Sequence, residues 1–101
     1  MNLKIYSIKD VVVDSFNNPF YLHNDAECVR FLKSALKNNA KEFADKINDL
    51  ELYGLGEFDT ETGIIKTDVH RINSLKLMAN QVDIDEAKKQ ILKEINEKKG
   101  D

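Results

Sequence analysis

The chain has 101 residues, of which 42 % are hydrophobic and 33 % charged, and its formal net charge is −3. This length and composition predict one folded domain with a modest core. No apolar run is longer than three residues, as in Val11–Val13, so neither a transmembrane helix nor a signal peptide is predicted and we expect a cytosolic protein. The acidic balance argues against strong non-specific nucleic-acid binding, which depends on a dense basic surface.

The residue types that carry chemistry are sparse. The single cysteine, Cys28, excludes an internal disulfide and is typical of a reducing compartment. Together with His23 and His70 it does not have the spacing of a zinc site. No Ser/His/Asp or Cys/His set with recognisable spacing occurs, and no glycine loop of the kind that holds phosphates. The sequence therefore predicts neither an enzyme nor a cofactor.

The N-terminal residues are predicted to form strands. Leu3–Ile8 alternates as a first strand, and Val11–Phe16 is a second β-rich run. Only Lys9 and Asp10 separate the two, which favours a hairpin. The turn Asn17–Pro19 should end the second strand, because proline has no N–H to donate to a sheet.

The strongest helix pattern runs from Asn24 to about Asn38. Asn24 can cap this helix, and Glu27 three positions later completes a capping box. Apolar residues at helical spacing form one stripe, which we expect to be buried: Cys28, Phe31, Leu32, Ala35 and Leu36. A short second helical turn is expected at Lys41–Ile47.

A row of basic residues follows another face of this helix. Arg30, Lys33 and Lys37 recur at spacings of three and four, and Lys41 would continue the row. Such a row is commonly a solvated helix face, and contact with phosphates is the alternative.

The three tyrosines leave a similar pair of alternatives. Tyr6, Tyr21 and Tyr53 could each stack on a nucleic-acid base, or each could be ordinary half-buried packing. Tyr53 is the weakest stacking candidate because acidic residues surround it in the sequence.

The stretch Leu50–Lys66 predicts two strands joined by a tight acidic turn. One alternating face carries apolar residues and two glycines, and we expect it to be buried: Leu50, Leu52, Gly54, Gly56 and Phe58. The glycines would let a helix approach the sheet closely or would mark a bulge. Asp59–Gly63 should form the turn, with Gly63 supplying a positive φ. Oxygen-bearing residues alternate along it as in a calcium loop, but His70 occupies the position of the last acidic ligand, so a plain turn is favoured.

The C-terminal part is less regular. Asp68–Val82 fits either a fourth strand or a loop lying over the sheet. Asp83 or Asp85 can cap a last helix over residues 85–99, with a narrow apolar stripe and a frayed tail. Together the elements predict a single α+β domain over residues 1–101: a small, mainly antiparallel sheet with one long helix across a face and a C-terminal helix.

Two segments carry a recognisable pattern. The first is Asp14–Phe20, followed by Asn24–Ala26 and Arg30–Phe31, and the second is Leu52–Gly63, which contains LGEFD and a closing glycine. In order and separation they resemble the small nonstructural protein of gokushoviruses, which are single-stranded-DNA phages of the Microviridae. The resemblance covers residues 3 to 67. From about Val69 the sequence departs from the short C-terminal ending of that family.

The resemblance implies a nonstructural accessory protein without catalytic activity, in the host bacterial cytoplasm. It implies binding to viral single-stranded DNA, or to the replication or packaging machinery, where DNA synthesis gives way to packaging. A module that docks on a viral or host replication protein without touching DNA is the alternative, since its acidity would steer it to basic partners. The resemblance supplies no binding residues, so the candidates come from side-chain chemistry: Arg30, Lys33, Lys37, Lys41, Tyr6 and Tyr21.

We also expect a homo-oligomer, most simply a dimer. The predicted strands leave open edges, and the edge beside Val11–Val13 carries little charge to block pairing. The thin apolar stripe of the last helix is a second candidate interface, and a twofold axis would satisfy either. Folding of that helix back onto its own sheet is the alternative.

Overall fold

The structure, a computed structural model, describes residues 1–81 and has an α+β fold built on a five-stranded antiparallel sheet. The strands are β1 (Asn2–Asp10), β2 (Ser15–Phe16), β3 (Phe20–Leu22), β4 (Leu50–Asp59) and β5 (Ile65–Ser74). The helices are α1 (Asp25–Asn38), α2 (Ala40–Phe43), a 3-10 turn at Ile47–Asp49, and α3, described over residues 75–81. The predicted α+β class is confirmed. The helix predicted over residues 85–99 lies outside the described residues.

β1 and β4 form the centre of the sheet. β4 pairs along the whole of β1 and carries β5 on its other side, which gives the order β2-β1-β4-β5. β2 pairs with Lys9 and Asp10, and β3 pairs with Lys4–Tyr6, so the two short strands share one edge of β1. Pro19 lies between these two strands, where its missing N–H removes no ladder hydrogen bond.

The predicted second strand over Val11–Phe16 is wrong for most of its length. Residues 11–14 form a turn, and of the predicted strand only Ser15 and Phe16, which make up β2, pair with β1. The Asp10 carboxylate accepts hydrogen bonds from the backbone N–H groups of Val12 at 3.0 Å and Val13 at 3.4 Å. An aspartate that bonds the backbone just after it favours a turn over a strand, and here it outweighs three β-branched residues. The valines therefore provide no strand edge for a dimer.

The core lies between α1 and one face of the sheet. α1 contributes Cys28, Leu32 and Leu36, which recur at helical spacing and are buried. The sheet and α3 supply the other buried members of the cluster: Tyr6, Leu50, Leu52, Leu75 and Met78. Burial raises the pKa of the Cys28 thiol to about 12, as expected for a core residue and not for a reactive thiol. Phe31, predicted in the buried stripe, is instead 53 % exposed.

Both ends of α1 are set by asparagines. The Asn24 side chain accepts a 2.8 Å hydrogen bond from the Glu27 N–H, which confirms the predicted cap. At the other end, the backbone and side-chain N–H groups of Asn39 both donate to the Ala35 carbonyl at 3.0 Å. The chain then restarts as α2, so Lys41 belongs to a separate short helix.

A β-bulge splits the predicted apolar face of β4. Tyr6 pairs with Gly54 and Ile5 pairs with Gly56, so β4 has one extra residue between these pairs. An extra residue exchanges the two faces of a strand, because side chains alternate with a period of two. Leu52 therefore faces α1, whereas Phe58 faces the other side. The prediction that Phe58 shares the buried face is wrong.

The first part of Asp68–Val82 belongs to a strand, β5, which is one of the two predicted alternatives, whereas the helix over residues 75–81 was in neither alternative. The strand runs ten residues, to Ser74, and a helix follows it directly. The hydroxyl of Ser74 accepts a 3.2 Å hydrogen bond from the Leu77 N–H, as an N-cap does. This helix places Leu75 and Met78 in the core.

Candidate nucleic-acid interface

The sheet face turned away from α1 is rich in apolar and aromatic side chains. Within residues 1–81, the helical residues that join the core do so on the α1 side. Strand pairing places the following residues on the opposite side, which we call the open face: Leu3, Ile5, Lys9, Phe16, Tyr21, Tyr53, Phe58 and Ile65. Ile5 is buried there, but Ile65 is 56 % exposed.

Two pairs of aromatic rings occupy the open face. Phe16 and Tyr53 meet edge to face with ring centroids 5.2 Å apart, and Tyr21 and Phe58 are tilted at 6.3 Å. Phe16 is 42 % and Tyr21 50 % exposed, whereas Tyr53 and Phe58 are half-buried. Each pair thus holds one accessible ring against one anchored ring. Accessible rings on a sheet surface are a common platform on which proteins stack the bases of single strands.

Lys9 lies beside the first of these pairs. Its Nζ is 5.4 Å from the Phe16 ring centroid and 5.7 Å from that of Tyr53, within reach of a cation–π interaction. The same Nζ is 3.0 Å from the Asp14 carboxylate, and this hydrogen bond raises the pKa of Lys9. Lys9 therefore remains a cation, but one whose charge is partly neutralised.

Arg71, which pairs with Tyr53 across β4 and β5, is a second cation on this side. Its Nε is 3.1 Å from the Glu51 carboxylate. Lys9 and Arg71 both have carboxylate partners, so they add little net positive charge to the open face. Its main feature for binding is therefore its exposed aromatic rings.

Tyr6 is a core residue, not a stacking platform. Its side chain is 1 % exposed, and its ring stacks on Phe20 with centroids 5.9 Å apart. The hydroxyl donates a 2.6 Å hydrogen bond to the Asp25 carboxylate, and Lys4 Nζ is 3.8 Å from the same oxygen. Burial and the Asp25 carboxylate together raise the pKa of the Tyr6 phenol far above its ordinary value. The candidate role of Tyr6 in base stacking is therefore wrong.

The other sequence-based candidates lie on two sides of the molecule. Arg30 and Lys37 are exposed on α1 away from its buried stripe, Lys33 is half-buried on the flank of that stripe, and Lys41 is exposed on α2. Tyr21 lies on the open face, with the sheet between it and these cations. The structure therefore does not bring the basic row and the tyrosine into one site.

Sequence analysis missed most of the open face. Phe16 was assigned to a strand and Lys9 to the turn between two strands, both without a role, and Phe58 was assigned to the buried face. The signal that could have placed Phe58 is the pair Gly54 and Gly56, since a bulge between them exchanges the faces of everything that follows.

On the α1 side, a cleft of about 280 Å³ opens beside the start of the helix. Lys4, Glu57 and Lys66 lie directly opposite one another on three neighbouring strands along its floor. Opposite charges directly across neighbouring strands favour this register, which is a structural role for these residues. Within residues 1–81 there is no cluster of three or more histidine, cysteine, aspartate or glutamate side chains that could hold a metal ion. In the same range, no helix is long and apolar enough to cross a membrane.

Comparison with known proteins places this fold in a family. A profile described as Phage ORF5 protein matches residues 3–82, which include all the described strands and helices except the first residue of β1, and the whole open face. The chain belongs to the Phage ORF5 protein family. The match extends well beyond residue 67, where the resemblance seen in the sequence ends. No curated protein and no solved structure matches the chain.

In this Phage ORF5 family protein, the LGEFD segment and the turn after it have structural roles. Gly56 has φ 148°, and a Cβ there would collide with the Lys66 carbonyl oxygen, so only glycine fits the bulge. The Asp59 carboxylate accepts a 2.9 Å hydrogen bond from the Glu61 N–H, and its carbonyl accepts one of 2.8 Å from Gly63. Gly63 has φ 75° and closes the turn, as predicted.

Proposed function

We propose that this phage protein is a nonstructural accessory protein that binds viral single-stranded DNA through the open face. The motif resemblance supports a gokushovirus source, and with it a role in the host cytoplasm where DNA synthesis gives way to packaging. The observation that carries the proposal is the pair of aromatic platforms, Phe16 with Tyr53 and Tyr21 with Phe58, on a sheet face that the described helices leave uncovered.

The two platforms are spaced to take separate bases. They flank β1 near Lys9 and Ile5, four residues apart, which is roughly 13 Å at the rise of an extended strand. Stacking of one base on an aromatic ring contributes about 1–3 kcal/mol and tolerates any sequence. An accessory protein that must hold a whole genome strand needs that tolerance.

The charges of the open face predict an unusual salt dependence. Because Lys9 and Arg71 are already paired with carboxylates, phosphate binding there would release few counterions. We therefore expect affinity to fall only shallowly with salt. Binding through the basic row of α1 would instead fall steeply, because for a single strand log affinity falls against log salt concentration with a slope of about −0.7 for each phosphate contacted.

Fluorescence anisotropy of a labelled oligonucleotide, titrated at several salt concentrations, tests the proposal. The variants Phe16→Ala and Tyr21→Ala should each weaken binding about tenfold, as expected for the loss of one stacked base. Phe31→Ala is the matched control, because Phe31 is an exposed ring of similar accessibility on the α1 side. No binding by the native protein at low salt, or an equal loss with Phe31→Ala, would refute the proposal.

A second variant pair tests the basic row itself. If Lys33→Glu and Lys37→Glu remove binding and the ring variants do not, DNA is held on the α1 side of the molecule. DNA binding would then remain the proposed function, but the open face would not be the binding surface.

A protein-docking module remains the second candidate, and one observation favours it. The turn after β1 exposes Val12 by 73 % and Val13 by 68 %, and Phe16, three residues further along the chain, is 42 % exposed. Exposed apolar residues clustered at one tip are typical of a protein-binding surface. Absence of DNA binding, together with loss of a replication-protein complex in Val12→Ser/Val13→Ser, would favour this function over DNA binding.

A further inference from the structure

The outer edge of β5 is a second surface without a partner in the described part of the chain. β5 ends the strand order, and residues 65–70 are all exposed. Ile65 is 56 % and Val69 62 % exposed, so the edge presents apolar side chains as well as backbone groups. A strand edge of this kind is a template for another strand unless something covers it.

We propose that β5 pairs with β5 of a second copy of this chain, antiparallel and about a twofold axis at Thr67. Thr67 then lies opposite the partner's Thr67. Lys66 lies opposite the partner's Asp68, and Ile65 opposite the partner's Val69. The twofold axis repeats both contacts, so one short segment forms two pairs of opposite charge and two apolar pairs.

Strand geometry and charge select this register. In an antiparallel pair, residues directly opposite each other project from the same face of the sheet. A twofold axis perpendicular to the sheet keeps each side chain on its own face. The axis must therefore lie at a residue that pairs with its own copy, and not between two residues. Placing it at Lys66 or at Asp68 would set two like charges against each other. Placing it at Val69 would set Lys66 against Ile72 and leave Ile65 without an apolar partner. Thr67 is the position at which both charges and both exposed apolar residues are matched.

The proposed dimer would enlarge the DNA-binding surface. A twofold axis perpendicular to the sheet leaves the open faces of both copies on the same side. Ile65 pairs with Phe58 of β4 and lies on β5, so each open face extends to the interface between the two copies. The four aromatic platforms would then lie on one continuous sheet. This consequence rests on the proposed DNA binding, whereas the dimer itself does not.

Light scattering coupled to size exclusion tests the pairing through a charge swap. The native protein at tens of micromolar should elute at twice the chain mass of 11.6 kDa. Lys66→Asp and Asp68→Lys should each weaken dimerisation at least tenfold, because each sets like charges opposite one another. The double variant Lys66→Asp/Asp68→Lys should restore the dimer. Lys33→Glu, on α1, is the control and should remain dimeric.

A cross-link gives a second measurement that does not depend on charge. Thr67→Cys should form an intermolecular disulfide on mild oxidation, because the two copies of residue 67 face each other at the axis. Thr62→Cys, at the turn, should not. Three outcomes would overturn the proposal. The native protein could be a monomer, its dimer could persist in both single charge variants, or cross-linking could occur at residue 62 and not at residue 67.

DNA titration of the same samples separates the two hypotheses. A native dimer that fails to bind an oligonucleotide would refute the proposed function and leave the pairing intact. A native monomer that binds would refute the pairing alone. If both hold, monomeric Lys66→Asp should cover about half as many nucleotides per bound unit as the native dimer.

Discussion

The two sides of the sheet are both apolar, yet they differ in what covers them. On the α1 side, Cys28, Leu32 and Leu52 form a closed core with at most 6 % exposure. On the open face, Phe16 and Tyr21 keep 42 % and 50 % of their surface. Apolar character along a strand therefore does not identify the core. On one side it contributes to stability, and on the other it leaves rings free to meet a partner.

The bulge in β4 creates this division. Before it, Leu52 faces α1, and after it, Phe58 faces the open side, although the two are six positions apart and a regular strand would put both on one face. Without the extra residue, Phe58 would join the core side and Tyr21 would lose its aromatic neighbour. One local irregularity therefore supplies half of the candidate binding surface.

Truncation of one side chain on each side of the sheet tests this difference most directly. Leu52→Ala should lower the free energy of unfolding by about 3 kcal/mol, because it opens a cavity in a closed core. Tyr21→Ala should lower it by less than about 1 kcal/mol, since that ring is half exposed. Urea denaturation monitored by circular dichroism measures both. Comparable losses would mean that the open face is covered in solution.

The next largest effect should come from the bulge. Gly56→Ala should cost about 2 kcal/mol or more, because φ is positive and the added Cβ would meet the Lys66 carbonyl. Gly63→Ala is the control, with a positive φ but nothing within 4 Å of the added Cβ, and should cost about 1 kcal/mol. If the two variants were equally stable, the close backbone approach at Gly56 would not exist.

Much of the fold was predictable because its signals are local. The Asn24 cap, the buried stripe of α1 and the Asp59–Gly63 turn each depend on residues within a few positions of one another. The turn at residues 11–14 was missed, since strand propensity in three valines concealed a hydrogen-bonding aspartate beside them. The turn and the strand differ here by a small free energy, and the amino-acid composition of the segment does not show which of the two is favoured.

The candidate site was less predictable because it depends on non-local pairing. Lys9 and Phe16 face each other only because β2 folds back on β1, and Tyr21 meets Phe58 only across β1. The basic row of α1 was visible in the sequence, since helical spacing is local. The rings on the other side of the sheet were individually visible, but the face they share was not.

A smaller effect concerns the buried hydroxyl on the core side. Tyr6→Phe removes the 2.6 Å hydrogen bond to Asp25 and should lower stability by about 1 kcal/mol. Asp25 is about half exposed, so its carboxylate can be hydrated when the phenol is gone. Tyr21→Phe on the open face is the control and should leave stability unchanged. A larger loss for Tyr21→Phe would show that its hydroxyl has a partner inside the fold.

The smallest effect is a dependence on pH at the turn that joins β4 and β5. Hydrogen bonds from the Glu61 N–H and then from Thr62 lower the pKa of the Asp59 carboxyl below its ordinary value. A carboxyl whose pKa is lower in the folded state stabilises the fold above its unfolded pKa, about 3.9, and loses that contribution as the pH falls through the folded pKa. Asp59→Asn should therefore be less stable than the native protein at pH 7, and the difference should shrink progressively as the pH approaches 3. Urea titrations of both proteins across this range measure it, and a difference that grows towards acid pH would contradict the assignment.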